Sequence, residues 1–60
     1  MKNLTTSLYA IAKHNYNGYL TKGKEYPVFK ILERGQRIVI ISDKGAMQDW
    51  GTAEFTFITK

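Results

Sequence analysis

Apolar and polar residues along the chain group into five short segments of strand type, separated by turn residues. These segments are Leu8–Lys13, Glu25–Glu33, Arg37–Ser42, Ala46–Trp50 and Phe55–Thr59. No stretch of ten or more residues shows a helical period. Five short strands with Gly, Asn and Asp between them predict an all-β fold, a small five-stranded barrel.

The second segment changes its buried face partway along. Tyr26 and Val28 share one face, and Leu20 is spaced to join them, whereas Phe29 and Ile31 share the other face. A strand that crosses between two sheets of a barrel changes which face is buried, so we expect a bend or bulge here. Proline cannot donate to a ladder, and Pro27 should therefore lie at a sheet edge or at that bend.

Glycines mark the predicted turns. Gly18 and Gly23 lie in the loop before the second strand, at positions where a tight reversal needs a positive φ. Asp43-Lys-Gly45 predicts a hairpin turn closed by glycine in the left-handed region. Gly51–Phe55 is typical of a single helical turn before the last strand, with Thr52 as its cap.

The 60 residues and their composition limit the classes of protein and site. A chain this short forms one domain, which we place at residues 8–60 behind an N-terminal extension of residues 1–7. The chain has no cysteine and one histidine, His14, so we predict no disulfide, metal site or cofactor. The start lacks the apolar core of a signal peptide, and the longest apolar run, Ile38–Ile41, is far too short for a membrane span. We therefore expect a cytoplasmic protein.

Catalytic patterns are not found in the sequence. His14 is the only histidine that could activate a nucleophile, and it lies at a junction of strand and loop. Asp43, Asp49 and Glu54 lie beside turns without an apolar setting that would raise a pKa. No glycine-rich phosphate loop precedes a helix. An enzymatic function is not expected.

Positive charge is concentrated in the first part of the chain. Residues 1–24 contain four lysines and no acid, whereas residues 25–60 contain five basic and five acidic residues, which together account for the net charge of +4. Such an asymmetry attracts a polyanion or an acidic protein surface to one side of the fold. Alternatively, the lysines only keep a small protein soluble.

The loop of residues 14–24 combines tyrosines with lysines and is the first candidate binding site. Its candidate residues are Tyr16, Tyr19, Lys22 and Lys24. Tyrosine offers a large contact area at small entropic cost, as in protein recognition loops, and it can also stack on nucleic acid bases. The alternative is that these tyrosines fill the mouth of the barrel.

Two further apolar features allow a structural or a binding role. The residues of the unbroken run Ile38, Val39, Ile40 and Ile41 do not alternate with polar ones, so either both faces of a central strand are covered or one face forms a dimer interface. A homodimer would also supplement the small core. Trp50 either belongs to the core or lines a ligand groove, and we predict the core.

Three parts of the sequence resemble small SH3-like barrels: Leu20–Val28, Asp43–Gly45 and Trp50–Phe55. The resemblance extends over about residues 8–58 and implies a five-stranded barrel with a short helical turn before the last strand. Short proteins of this appearance are common in phages and their hosts. Fold resemblance carries little information about function.

By size, fold and phage-like character, the chain also resembles small phage-encoded inhibitors of host defence systems, including inhibitors of helicase-nuclease systems such as Hachiman. This resemblance implies a non-catalytic module, often a homodimer, that binds and blocks a host protein. A nucleic-acid-binding barrel that uses the basic, tyrosine-rich loop is the alternative. A bacterial SH3-like accessory domain is a third class.

Overall fold

A computed structural model of the chain describes residues 7–60, which form six short strands. The strands are β1 (Leu8–Ala12), β2 (Glu25–Pro27), β3 (Lys30–Leu32), β4 (Arg37–Ile41), β5 (Met47–Gly51) and β6 (Phe55–Thr59). Short 3-10 turns, Glu33–Gly35 and Thr52–Glu54, precede β4 and β6. The predicted all-β class is confirmed. Residues 1–6 of the predicted N-terminal extension lie outside the described residues.

The strands form two antiparallel sheets of three strands each, in the orders β2-β1-β6 and β3-β4-β5. The prediction of a closed five-stranded barrel is therefore wrong. The predicted single strand Glu25–Glu33 is interrupted at Val28 and Phe29, so that β2 pairs with β1 whereas β3 pairs with β4. The chain passes from one sheet to the other at this interruption, and Pro27 is the last residue of an edge strand, where its missing N–H costs no ladder bond.

Residues from both sheets and from the first loop build the core. The buried apolar residues are Ala10, Ala12, Leu20, Tyr26, Ile38, Ile40 and Phe55, with Tyr19, Val28, Trp50 and Phe57 packed against them. The two buried residues of β1, Ala10 and Ala12, are both alanines. The face predicted from Leu20, Tyr26 and Val28 is confirmed, since the first two are buried and the third is half-buried.

The central strand β4 does alternate in burial, although its sequence does not alternate in polarity. Ile38 and Ile40 are fully buried, Val39 is half-buried, and Ile41 is 39% exposed. Ile41 lies opposite Met47 of β5, which is also exposed. The apolar run therefore supplies the core with one face and leaves apolar side chains on the other.

The turn before β6 is stabilised differently from the prediction. Gly51 lies at the position before the turn and Thr52 lies within it, so the prediction of a Thr52 cap is wrong. The Thr52 hydroxyl instead donates to the Gln36 carbonyl oxygen at 3.2 Å, and its N–H donates to the same oxygen at 3.0 Å. These bonds join the two 3-10 turns.

None of the helical turns in residues 7–60 has the length and apolar character needed to cross a membrane.

Candidate functional site

The first loop folds back on itself as a small hairpin of residues 16–20. Tyr16 and Leu20 form an antiparallel bridge, in which the Tyr16 N–H donates to the Leu20 carbonyl oxygen at 3.0 Å. Asn17 and Gly18 both have positive φ values, 44° and 81°, as a type I′ turn requires. The predicted turn conformation of Gly18 is confirmed. Tyr16 and Tyr19 therefore lie at the two ends of a hydrogen-bonded turn.

Hydrogen bonds tie the base of this loop to β1. The Gly23 N–H donates to the Ala12 carbonyl oxygen at 2.9 Å, with Gly23 at a φ of 83°, as predicted for a tight reversal. The Asn15 side-chain carbonyl accepts a hydrogen bond from the Lys22 N–H at 2.9 Å. The loop is thus anchored on both sides of its hairpin.

Asp43, in the β4–β5 turn, holds the far side of the same loop. Its carboxylate accepts hydrogen bonds from the Lys24 ammonium at 2.6 Å, the Tyr26 hydroxyl at 3.1 Å and the Thr21 hydroxyl. The hydrogen bond from Lys24, followed by that from Thr21, lowers the pKa of Asp43 below its ordinary value. The hydrogen bond to Asp43 in turn raises the pKa of Lys24. The Asp43 N–H also donates to the Tyr19 carbonyl oxygen at 2.7 Å.

Three aromatic side chains meet where the hairpin rests on β5, and we call them the aromatic cluster: Tyr16, Tyr19 and Trp50. The ring centroids of Tyr16 and Trp50 are 5.5 Å apart, and those of Tyr19 and Trp50 are 6.2 Å apart, both in tilted arrangements. Tyr16 is 42% exposed, whereas the other two are half-buried. The indole Nε1–H of Trp50 is buried and finds no acceptor within residues 7–60.

The structure thus brings together two features that the sequence presented separately, the loop tyrosines and the lone tryptophan. Trp50 is partly buried and packs against the core, and it also lines a pocket at the surface. The other predicted binding residues lie apart from the cluster contacts. Lys22 is exposed, and the Lys24 ammonium is bound by Asp43.

A shallow pocket of about 460 Å³ opens beside the aromatic cluster, and we call it the acidic-aromatic pocket. Its lining residues are Tyr16, Arg37, Gln48, Asp49, Trp50, Gly51 and Glu54. In the sequence, Asp49 and Glu54 are recognisable only as isolated acids beside turns. Both acids lie within four residues of Trp50 in the sequence, and this proximity could have indicated a shared site. The place of Arg37 in the pocket could not be predicted in this way, because it depends on the pairing of β4 with β5, which puts Arg37 opposite Gly51.

Charges within this pocket are partly paired. The Arg37 guanidinium lies 2.9 Å from the Asp49 carboxylate, and this hydrogen bond lowers the pKa of Asp49 below its ordinary value. Glu54, also a lining residue, makes no ion pair with any residue in 7–60. Among the residues that the structure describes, the pocket thus has one carboxylate without an ion pair beside an aromatic surface.

The residues predicted as a dimer interface divide between core and surface. Ile38 and Ile40 lie in the core of the protomer, and Val39 and Ile41 lie on the outward face of β4. Within the described part of the chain, no group of three or more His, Cys, Asp or Glu residues is arranged to hold a metal ion.

No family model matches the chain, and the comparisons with curated proteins and with solved structures give no match either.

Proposed function

We propose that this protein is a non-catalytic module that binds another protein through the aromatic cluster. The observation that carries the proposal is the stacking of the partly exposed Tyr16 on Trp50 at the edge of a pocket. Tryptophan and tyrosine are the side chains most enriched at the energetic centres of protein interfaces. A tyrosine held on a tryptophan by a hydrogen-bonded hairpin loses little conformational entropy when a partner binds.

The charges around the cluster support a protein partner over nucleic acid. Lys24 is already bound by Asp43, and Lys44 lies over the Tyr19 ring at 4.5 Å from its centroid. The carboxylates of Asp49 and Glu54 would repel a phosphate backbone that approached the pocket. Nucleic acid remains the second candidate because Lys22, on the same loop, and Lys13, just before it, are exposed.

We further infer that the two sheets form an SH3-like arrangement, with β2 and β3 as the two halves of one bent strand. The strand orders and the 3-10 turn before β6 support this inference. The biological role that we propose is that of a phage-encoded inhibitor. It binds and blocks a host protein without catalysing a reaction. The resemblance of the sequence to small inhibitors of host defence is its support.

We expect Tyr16→Ala to abolish binding of a partner protein without unfolding the chain. Tagged wild-type protein is incubated with bacterial lysate at about 150 mM salt after nuclease treatment, and bound proteins are identified by mass spectrometry. Phe29→Ala is the matched control, since Phe29 is an exposed aromatic residue outside the cluster. We expect a stoichiometric protein to bind the wild type and the control but not Tyr16→Ala, while all three keep similar melting temperatures.

Two results would contradict this proposal. Loss of all bound proteins on nuclease treatment would favour the nucleic acid candidate, which the steep salt dependence of phosphate contacts would then test. Equal capture by the wild type and Tyr16→Ala would show that the aromatic cluster is not the contact surface.

A further inference from the structure

Lysine ammonium groups lie over three of the four tyrosine rings. Lys24 lies 5.5 Å from the ring centroid of Tyr26, Lys44 lies 4.5 Å from that of Tyr19, and Lys60 lies 5.2 Å from that of Tyr9. Within residues 7–60, no cation lies over the ring of Tyr16 or of Trp50. These two rings line the acidic-aromatic pocket together, and Tyr16 is 42% exposed, so its ring offers a surface to a cation from another molecule.

The charges that line the pocket favour the same kind of ligand. Arg37 and Asp49 neutralise each other through their ion pair, which leaves the Glu54 carboxylate as the unbalanced charge among the lining residues. Glu54 is half-buried, and the protein that surrounds it reduces its contact with water. A carboxylate without an ionic partner at the edge of a pocket attracts a cationic side chain.

We propose that the acidic-aromatic pocket receives an arginine side chain of the protein partner, with its guanidinium stacked on the exposed ring of Tyr16 beside Trp50 and paired with Glu54. This proposal rests on the proposed protein-binding function and names the chemistry that the partner presents. Arginine fits these residues because its planar guanidinium stacks on aromatic rings and donates to a carboxylate in a fixed geometry. A phosphate group is disfavoured by Glu54, and a purely apolar side chain would leave that carboxylate desolvated without a partner.

The test uses a short peptide and does not require the natural partner. Wild-type protein is titrated with acetyl-Gly-Arg-Gly-amide, and the citrulline peptide, which has the same shape but no charge, is the comparison. Trp50 is the only tryptophan, so its fluorescence and the NMR signal of its indole N–H report on this pocket alone. We expect a saturable change with the arginine peptide and binding weaker by about two- to fivefold with citrulline, the range of an exposed cation–π or ion-pair contact.

A pair of charge-matched variants tests the role assigned to Glu54. Glu54→Gln removes the carboxylate that lines the pocket, and Glu33→Gln removes one acidic charge from the turn before β4. We expect Glu54→Gln to weaken the arginine peptide by about two- to fivefold and Glu33→Gln to leave its affinity unchanged. The inference is overturned if arginine and citrulline peptides bind alike, if the two variants behave alike, or if Trp50 does not respond.

The two proposals can fail separately. If Tyr16→Ala loses the captured protein while Glu54→Gln retains it at wild-type affinity, protein binding stands and the arginine inference is wrong. If the peptides behave as expected but no protein is captured, the pocket chemistry stands and the proposed function is wrong.

Discussion

Asp43 organises the first loop because its single carboxylate serves three donors from that loop and from β2. The donors are Thr21, Lys24 and Tyr26, and the Asp43 side chain is only 18% exposed. Asp43 therefore acts as a positioning residue for the hairpin that carries Tyr16 and Tyr19. The ion pair with Lys24 requires the ionised carboxylate, so protonation of Asp43 should weaken its hold on the loop.

The lowered pKa of Asp43 predicts the direction of this dependence. A carboxyl group whose pKa is lower in the folded than in the unfolded state stabilises the fold above the unfolded value, here 3.8, and that contribution disappears as the pH falls through the folded value. We expect Asp43→Asn to melt below the wild type at pH 7 and the difference to shrink as the pH falls below about 4. Circular dichroism melts between pH 7 and pH 2 measure this difference.

Glu33→Gln is the control for Asp43→Asn, since Glu33 is an exposed acid without an ion pair in residues 7–60. It should melt close to the wild type at pH 7. A difference between wild type and Asp43→Asn that stays constant down to pH 2 would contradict the assigned role of the ionised carboxylate.

At the scale of the secondary-structure elements, two turns position the candidate site. The Tyr16–Leu20 hairpin places two tyrosines against β5, and the Asp43–Gly45 turn supplies the carboxylate that holds the loop. Gly45 has a φ of 80°, and its N–H donates to the Ser42 carbonyl oxygen at 2.9 Å, so the predicted glycine-closed turn is confirmed.

Glycine substitution separates backbone strain from steric crowding. A Cβ at Gly45 or at Gly51 would meet no atom within 4 Å, but only Gly45 has a positive φ. We expect Gly45→Ala to lower the free energy of unfolding by about 1 kcal/mol. Gly51→Ala should leave it unchanged or raise it by about 0.5 kcal/mol, because alanine restricts the unfolded chain. Urea denaturation measures both, and equal losses would contradict this account of the turn.

At the scale of the whole molecule, β4 connects the core with an outward apolar surface. Ile40 is completely buried, and the adjacent Ile41 is turned outward beside Met47. Homodimerisation through this strand remains a proposal, and of the four residues predicted for the interface only Val39 and Ile41 face outward in the folded protomer. A dimer would bury apolar surface that so small a domain leaves in water.

Aspartate substitutions at these neighbouring positions should have opposite outcomes. Ile40→Asp places an unpaired charge in the core, at a cost comparable to the whole stability of a small domain, so we expect it to unfold. Ile41→Asp should keep the fold and shift the protein from dimer to monomer. Circular dichroism and sedimentation equilibrium distinguish these outcomes. A monomeric wild type, or a dimer that survives Ile41→Asp, would contradict an interface at Ile41.

Local backbone and side-chain preferences account for what could be predicted from the sequence. The all-β class follows from short apolar segments between turn residues, and the conformations at Gly18, Gly23 and Gly45 follow from the freedom of glycine at positive φ. The interruption after Pro27 also agrees with local information, because the buried face changes there and proline cannot donate to a ladder. Each of these features depends on residues close together in the chain.

Only the tertiary structure decided the number of strands, their division between two sheets and the composition of the candidate site. From the sequence, the change of buried face could equally have been a bulge within one strand. In the structure, β2 pairs with β1 and β3 pairs with β4, and this separates the two strands. The site joins Tyr16 to Trp50, which are 34 positions apart, and adds Arg37 and Glu54. Such contacts depend on sheet register and loop closure. Local patterns of residue type do not show which of the possible strand pairings buries the most apolar surface.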